Sequence, residues 1–454
     1  MKTFFNKMGS VFGRSKEAVA GFFRIKERNS TFSREIVGGI TTFLAMAYIL
    51  FVNPSILAAT GMSQDGVFLA TALAAAFATL AMALIANLPI GLAPGMGLNA
   101  FFTFTLVSGM GLTWEKALAA VFVSGIIYLI ISLAGIRKKI VNAIPQSLKY
   151  AVGAGIGFFI AFVGLQGAGI IVTDGATLVT LGDLSSPTVL LAIFGIVLTI
   201  VLLSLKIKGG ILLGILGTAI VGVVMGLFGV GGMPVYGGVI SANIGFDGVF
   251  GKVFGELGWV LTSGIGWVAI LSFLFVDFFD TAGTLLSVTS QMDFLTEKDI
   301  DKANIVDATS TVVGSVLGTS TTTSYIESLA GTAAGARTGF ASIITGLLFV
   351  LAIFFAPLLS VITPAVTASA LVIVGVMMTK SLGKIEWEHL PVAIGAFITI
   401  IFMILTYSIS NGIGFGFIAY VIAMVASKKG KQVSPILYGV GIAFVIYLIL
   451  GFLV

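Results

Sequence analysis

The chain contains no cysteine and only one histidine among its 454 residues. The absence of cysteine excludes disulfides, thiol catalysis and cysteine-based metal sites. The single histidine, His389, lies beside Glu386 and Glu388, and without it no Ser-His-Asp set can be assembled within the apolar segments. The sequence therefore does not favour an enzyme, and it predicts no metal site and no cofactor.

Charged residues are also scarce. They make up 9% of the chain, whereas soluble domains contain about 25%. Hydrophobic residues make up 58%, and apolar runs recur from residue 36 to the end of the sequence. Runs of about 20 apolar residues are long enough to cross a bilayer as helices. The composition predicts an all-α polytopic membrane protein, and the polar, basic residues 1–35 predict no cleavable signal peptide.

The apolar runs predict fourteen membrane-spanning segments. They cover residues 36–58, 67–88, 94–108, 115–134, 147–168, 187–205, 210–229, 264–290, 303–319, 325–335, 338–356, 364–379, 389–408 and 411–427. A further apolar run at 434–453 is either a fifteenth crossing or a helix at the membrane surface. Residues 389–427 can alternatively form two shallow half-spans.

Lysine and arginine residues sort by membrane side when the N-terminus is placed in the cytoplasm. All but two of the 24 then fall in cytoplasmic segments, and only Lys116 and Lys252 lie outside. Cytoplasmic loops of membrane proteins carry such an excess of basic residues. We therefore predict a multi-pass protein of the cell membrane with a cytoplasmic N-terminus. The net charge of +5 is explained by this sorting and predicts no nucleic-acid partner.

Two of the predicted segments are interrupted by residues that break helices. The stretch NLPIGLAPGMGLNAFFTF, residues 87–104, combines two prolines with several glycines. The stretch GTSTTTSYIESLAGTAAGARTG, residues 318–339, has a run of hydroxyl residues before Tyr325. Irregular backbone at membrane depth persists only where it is buried in protein or lines a cavity.

Each break falls in the third segment of a seven-segment half. Because seven is odd, a repeated seven-span unit enters the membrane the second time with the opposite orientation. We predict inverted repeats at 36–229 and 264–427, joined by an extracellular connector at 230–263 and followed by a basic turn and extra helix at 428–454. Matching breaks in two halves indicate the midplane binding site of a transporter.

Three acidic residues lie near these breaks. FVDFFDTAGTLL, residues 275–286, contains Asp277 and Asp280, and Glu327 lies within the second break. A carboxylate at bilayer depth is disfavoured by about 2.5–3.5 kcal/mol on insertion scales and marks a functional site by default. No buried basic residue is available to pair with them. A carboxyl group in such surroundings can bind and release a proton, so we predict proton coupling through Asp277, Asp280 and Glu327.

Five motifs together resemble a known family over nearly the whole chain. They are TTFLAMAYILFVNPSIL (41–57), APGMGLNAFFTFT (93–105), VDFFDTAGTL (276–285), TSTTTSYIESLAGTAAGARTG (319–339) and SISNGIGFGFIAY (408–420). These motifs resemble the guanine/hypoxanthine permeases of bacteria and fungi, the AzgA-like branch of the nucleobase–cation symporter 2 (xanthine/uracil permease) family. The resemblance implies proton-driven uptake of 6-oxopurines and a fold of seven plus seven inverted spans with core and gate domains. It further implies that the third and tenth spans are part strand and part helix, and that a homodimer forms through the gate.

The resemblance also implies which residues bind the base. The eighth-span acid of the motif D-T-x-G-T falls on Asp280, the tenth-span acid of Y-I-E-S on Glu327, and the third-span asparagine of G-x-N-A on Asn99. A carboxylate that accepts N1–H, and the 2-amino group of guanine, suits a 6-oxopurine. Asn99 can offer its amide to the carbonyl oxygen or the ring nitrogens.

Three further residues are expected to line the site because of their position. Thr284 shares a helical face with Asp280, and the aromatic rings of Tyr325 and Phe101 lie beside the two breaks. The residues leave guanine, hypoxanthine, xanthine and adenine as alternative substrates and sodium as an alternative coupling ion. An anion transporter or exchanger of the same architecture is a further alternative, but it would favour buried positive charge over three acids.

Overall fold

The computed structural model describes the backbone of residues 17–135, 143–241, 245, 248–289 and 295–453. Within these ranges, side chains are described except at 279, 280, 282–284, 286–289, 410, 443 and 446–453. The side chains of two predicted site residues, Asp280 and Thr284, therefore lie outside the described part of the protein.

Eight helices and three short strands of the first half of the chain position the site, and a short helical stretch at residues 17–22 precedes them. They are α1 (Phe32–Met46), α2 (Ile49–Ala58), α3 (Gln64–Ala81), β1 (Leu92–Pro94), α4 (Met96–Ala100), α5 (Trp114–Leu133), α6 (Gln146–Gly167), β2 (Ile171–Asp174), β3 (Leu178–Leu181), α7 (Pro187–Ser204) and α8 (Gly210–Leu227). The π-helix Met82–Ala86 continues α3, and the π-helix Phe101–Gly109 continues α4.

The second half forms nine helices and one strand within the described ranges. They are α9 (Leu257–Thr262), α10 (Gly264–Thr289), α11 (Glu297–Leu317), β4 (Thr322–Ser324), α12 (Ser328–Ala333), α13 (Gly339–Ala352), α14 (Pro364–Met378), α15 (Leu390–Leu405), α16 (Ile409–Ala426) and α17 (Pro435–Leu453). Short 3₁₀ segments are found at Lys252–Glu256, Ile353–Val361, Thr379–Lys384 and Gly430–Gln432.

Local sequence explains where many of these helices begin. The hydroxyls of Thr31, Ser63 and Thr113 accept backbone N–H bonds at the starts of α1, α3 and α5. Proline occupies the first turn of α7, α14 and α15, where its missing N–H costs nothing. Thr296 and Asp299 form a reciprocal capping box at the start of α11.

Eight helices within the described ranges are long and apolar enough to cross a membrane. A ninth arises if the bent pair Lys252–Thr262 and Gly264–Phe278, which meet at 111°, forms one span. The other predicted segments fall short of that criterion for identifiable reasons. The third and tenth combine a strand with short helices, α11 begins with a charged turn, and Leu390–Leu405 and Asn411–Ala426 are shorter apolar helices.

The two broken segments cross each other inside the helical bundle. Strand β1 pairs antiparallel with β4 in the register Leu92↔Ser324, Ala93↔Thr323 and Pro94↔Thr322, and all six residues are buried. Two further backbone bonds extend the pairing, from Gly95 N to Thr321 O at 2.9 Å and from Tyr325 N to Gly91 O at 3.0 Å. The backbone groups released by the breaks are thus satisfied by each other, as membrane depth requires.

The helices pack into two groups. One group surrounds the strand pair and contains α1–α5 and α10–α13, and the other contains α6–α8 and α14–α16. In the first group, small residues allow neighbouring helices to approach each other closely. A Cβ atom on Gly331 of α12 would lie within 2.7 Å of the Gly38 carbonyl oxygen of α1, so the two helices touch at their backbones. The first group corresponds to a core domain and the second to a gate domain.

The predicted connector 230–263 is not entirely loop. Its described C-terminal part forms the 3₁₀ segment Lys252–Glu256 and helix α9, and the ammonium group of Lys116 lies 4.4 Å from the ring centroid of Trp259. The connector thus packs against the start of α5. This contact also brings Lys116 and Lys252 to the same end of the molecule.

Candidate substrate-binding site

Glu327 lies at the start of α12, three residues after β4, and its side chain is buried. Its Oε1 atom accepts a hydrogen bond of 2.6 Å from the Tyr48 hydroxyl. Tyr48 occupies the break between α1 and α2 and is itself 1% exposed. A hydrogen bond to an ionised group is roughly twice as strong as a neutral one, so Tyr48 orients this carboxylate.

Asn99 lies on α4, five residues after β1, and is completely buried. Its Oδ1 atom accepts a hydrogen bond from the hydroxyl of Ser320, which precedes β4. Its Nδ2 atom has no hydrogen-bond partner among the residues that the structure describes. A buried donor without an acceptor costs about 1–3 kcal/mol, so this amide is suited to receive an acceptor from a ligand.

The strand pair fixes Asn99 and Glu327 relative to each other. Asn99 is hydrogen-bonded to Ser320, just before β4 begins. Glu327 follows the end of β4, and this end pairs with the beginning of β1. Ser328, next to Glu327, accepts the Gly91 backbone N–H at 3.0 Å. A three-residue strand spans about 10 Å, so the two polar groups lie near opposite ends of a very short ladder.

The two predicted aromatic residues contact protein groups at the crossing. The Tyr325 hydroxyl donates to the Pro94 carbonyl oxygen and so joins β4 to β1 a second time. Phe101 packs edge-on against Phe273 of α10, with ring centroids 5.0 Å apart. Both residues lie beside the breaks, as their positions in the sequence indicate, and their described contacts hold the crossing together. Stacking of either ring on a ligand stays a prediction.

Asp277 is buried on α10, and threonine hydroxyls are among its partners. Thr281 Oγ1 lies 3.3 Å from Asp277 Oδ1, and Thr311 Oγ1 of α11 lies 3.4 Å from Asp277 Oδ2. Each hydroxyl has a nearer acceptor. Thr281 lies 2.9 Å from Asp307 Oδ2, and Thr311 lies 3.2 Å from the Thr322 carbonyl oxygen of β4.

The number of hydroxyl protons matters in this cluster, because each threonine has only one to donate. If Thr281 and Thr311 donate to their nearer acceptors, a protonated Asp277 can donate its single proton to only one of the two hydroxyl oxygens. One of the two threonine hydroxyls can therefore accept a hydrogen bond from Asp277 when its carboxyl group is protonated.

Asp307 is a buried acid of α11 that is not among the site residues predicted from the sequence. Its Oδ1 atom accepts 2.8 Å bonds from both the backbone N–H and the hydroxyl of Ser324, the last residue of β4. Asp307 thus links helices α10 and α11 to the strand pair through Thr281 and Ser324. The sequence contained one signal for it, an acid inside the predicted segment 303–319.

More acids are buried than the three that the sequence predicts. Asp307 and also Glu35 of α1 are buried, in addition to Asp277 and Glu327. Glu35 precedes the first apolar run, so the sequence places it in the polar N-terminal segment. Tyr48 was also missed, although it is the only residue of the run FLAMAYILFV, residues 43–52, whose side chain carries a hydroxyl.

The backbone of Asp280 and Thr284 belongs to α10, but their side chains lie outside the described residues. Their predicted roles are therefore not tested by the structure. Among the described residues, no group of three or more histidine or acidic side chains is arranged to hold a metal ion.

Comparison with known proteins identifies the family. A family model described as "Permease family", covering xanthine and uracil permeases, matches residues 33–415. The chain is 51% identical over 440 residues to the guanine/hypoxanthine permease PbuG of Bacillus subtilis, covering 94% of this chain and 99% of that protein. It is 41% identical to PbuO, a guanine/hypoxanthine permease of the same organism, over 94% of this chain and 99% of that protein. It is 39% identical to the adenine permease AdeP of Escherichia coli, over 94% of this chain and 95% of that protein.

Solved structures show the same fold at much lower sequence identity. The transmembrane domain of the cyanobacterial bicarbonate transporter BicA matches with a TM-score of 0.59 and 17% identity, over 86% of this chain and 97% of that one. SLC26A9 matches with a TM-score of 0.62 and 12% identity, over 94% of this chain and 71% of that one. These proteins share the division into core and gate domains. The chain therefore belongs to the nucleobase permease family and is a membrane transporter, not an enzyme.

Proposed function

We propose that this protein imports guanine and hypoxanthine across the cell membrane by proton symport. The observation that carries the proposal is the buried pair of complementary groups at the crossed strands. Glu327 is a carboxylate acceptor and Asn99 has an unpaired amide donor. A 6-oxopurine offers an N1–H donor to Glu327, and its carbonyl oxygen and ring nitrogens, which are spread over both edges of the base, offer acceptors to Asn99. The relatives PbuG and PbuO, which are named guanine/hypoxanthine permeases, support the same substrate class.

Adenine is the second candidate substrate because the relative AdeP is an adenine permease. Adenine has an acceptor at N1 and an amino donor at C6, the reverse of hypoxanthine. A Glu327 carboxylate would then accept from the amino group, and N1 would require a donor. Transport of an anion is less well supported, since the described site contains buried acids and since the likeness to anion transporters concerns the fold alone.

Proton coupling is assigned to Asp280, Glu327 and Asp277, with Asp280 as the group that must release and regain the proton and Asp277 as the group that orients the site. The cluster around Asp277 supports an orienting role because the hydroxyls of Thr281 and Thr311 lie 3.3 Å and 3.4 Å from its two carboxyl oxygens. Movement of the core domain relative to the gate domain would then expose the site alternately to the two sides. Antiparallel pairing of β1 with β4, each from the third segment of its half, supports the inverted repeat. A homodimer through the gate domain is part of the proposal.

Substrate and coupling ion are tested together by competition of radiolabelled hypoxanthine uptake in cells that lack their own purine permeases. We expect unlabelled guanine and hypoxanthine to compete strongly, and adenine and xanthine to compete weakly. A protonophore should abolish concentrative uptake, whereas replacement of sodium by choline should not change it. Stronger competition by adenine would show that adenine is the substrate instead. Loss of uptake without sodium would show that sodium is the coupling ion.

The N-terminus is assigned to the cytoplasm, since nearly all lysine and arginine residues then lie on that side. The proximity of Lys116 to the connector that contains Lys252 supports a common outer side for these two exceptions. The chain has no cysteine, so single cysteines report cleanly. In intact cells, an impermeant thiol reagent should label Ala176→Cys in the exposed turn between β2 and β3 but not Ser427→Cys after α16. The reverse pattern would invert the topology.

A further inference from the structure

We propose that Arg28, Glu35 and Asn87 form a clamp that positions the two crossed segments for substrate binding. The clamp holds the turn Arg337–Gly339, which follows α12, against the chain that leads into β1. None of these residues lies at the candidate site itself, so they act as positioning residues. This inference rests on the proposed function for its binding measurement, whereas a second measurement tests the clamp without any substrate.

Arg28 connects the two broken segments directly. Its Nη1 atom donates to the Asn87 carbonyl oxygen at 2.5 Å and to the Arg337 carbonyl oxygen at 3.1 Å. Asn87 lies five residues before β1, and Arg337 lies four residues after α12. A planar guanidinium group with several fixed donors is well suited to bridge two carbonyl groups in this way.

Glu35 holds the same turn from the side of α1. Its Oε1 atom accepts the Arg337 backbone N–H at 2.9 Å, and its Oε2 atom accepts the Thr338 backbone N–H at 3.2 Å. These N–H groups precede α13, where a helix lacks internal acceptors and favours negative charge. The cost of burying the Glu35 carboxylate is therefore offset by the hydrogen bonds that these backbone N–H groups donate to it.

Asn87 completes the clamp and links it to the N-terminal segment. Its Oδ1 atom accepts the Gly339 backbone N–H at 2.8 Å, and its Nδ2 atom donates to the Phe23 carbonyl oxygen at 3.1 Å. Its backbone is left-handed, with φ of 52°, a conformation that asparagine tolerates better than most residues. Asn87 thus turns the chain from the end of α3 toward β1 and pairs both of its amide atoms.

One further contact carries the position of the turn to the strand. The hydroxyl of Ser342, in the first turn of α13, lies 2.8 Å from the Leu88 carbonyl oxygen and 3.2 Å from the Ile90 carbonyl oxygen. These contacts attach residues 88–90, which lead into β1, to α13. A shift of the turn Arg337–Gly339 would move β1 relative to β4, and with them Asn99 relative to Glu327.

The charges around Arg28 favour a fixed arrangement. Burial, and to a smaller extent the positive charge of Arg24, lower the pKa of its guanidinium group, and the nearby carboxylates of Asp299, Glu35 and Glu27 oppose that shift. Arg28 therefore faces acids from both α11 and α1 while its donors bind carbonyl groups. By contrast, Arg24 has an exposed side chain and a loose 3.9 Å ion pair with Glu27. Arg24 provides a matched control of the same residue type on the same segment.

The test compares purified Arg28→Ala, Arg28→Lys and Arg24→Ala proteins with the unmodified protein. We expect Arg28→Ala to raise the Kd for hypoxanthine about tenfold, because small displacements of binding groups are costly. Arg28→Lys keeps the charge but lacks the planar, forked set of donors of a guanidinium group, so we expect an intermediate increase in the Kd. Arg24→Ala should bind normally. A residue with only a structural role would lower the amount of folded protein and leave the Kd of the remainder unchanged.

Backbone hydrogen exchange tests the clamp without substrate. In Arg28→Ala and Arg28→Lys, the amides of 87–95 and 321–325 should exchange faster, whereas Arg24→Ala should leave them unchanged. Faster exchange confined to residues 17–30, with normal Kd, would show that Arg28 only anchors the N-terminal segment and would overturn the inference. If the unmodified protein fails to bind hypoxanthine, the proposed function is wrong, and the exchange result alone decides whether the clamp exists.

Discussion

Replacement of Glu327 by glutamine is expected to weaken hypoxanthine binding by about 2–4 kcal/mol. The change keeps the shape of the side chain but removes its charge and turns one acceptor into a donor. If that donor faces N1–H, two donors oppose each other in a buried site. If it faces Tyr48 instead, the 2.6 Å bond from the Tyr48 hydroxyl is lost. Either orientation leaves an unsatisfied group, which explains the size of the expected loss.

The measurement is equilibrium binding of hypoxanthine to purified protein, with folding checked by thermal unfolding. Glu386→Gln is the matched control because Glu386 is exposed. Tyr48→Phe should cost less, about 1 kcal/mol, since it removes only the hydrogen bond that orients the carboxylate. The double variant should lose less than the sum of the single losses, because both changes affect one interaction. Normal affinity in a folded Glu327→Gln protein would exclude Glu327 from direct contact with the base.

Replacement of Asp280 by asparagine is expected to abolish accumulation of hypoxanthine against its gradient. An amide cannot take up and release a proton, so the coupling step is lost even if the base still binds. Asp277→Asn should retain accumulation at a lower maximal rate. Its amide can still contact the Thr281 and Thr311 hydroxyls that surround Asp277, although it cannot reproduce every bond.

Both variants are compared by hypoxanthine accumulation in membrane vesicles under an imposed pH step. Asp307→Asn provides a structural comparison, since Asp307 accepts two bonds from Ser324 at the end of β4. Loss of these bonds should lower substrate affinity without removing the response to pH. Accumulation that survives in Asp280→Asn but disappears in a folded Asp277→Asn protein would reverse the two roles.

Much of the architecture was predictable because it depends on local composition. The scarcity of charge and the recurring apolar runs indicate a polytopic membrane protein, since every span must meet the same bilayer. Prolines and glycines at 87–104 and the hydroxyl run before Tyr325 locate the two breaks, since these residues interrupt helical hydrogen bonding. Acids inside apolar segments stand out because burial of a charge is costly. Asn99 and Glu327 were identified by motif and then found beside the crossed strands.

Only the tertiary structure decided which groups these residues meet. Tyr48 and Glu327 are 279 positions apart, and Arg28 and Arg337 are 309 apart, so no periodicity or spacing relates them. The contact between Asp307 and Ser324 depends on how α11 folds back onto β4. A sequence pattern shows that a buried polar group needs a partner, because desolvation without a hydrogen bond is unfavourable. The partner is determined by helix packing around the strand pair, where small residues such as Gly38 and Gly331 allow backbones to touch.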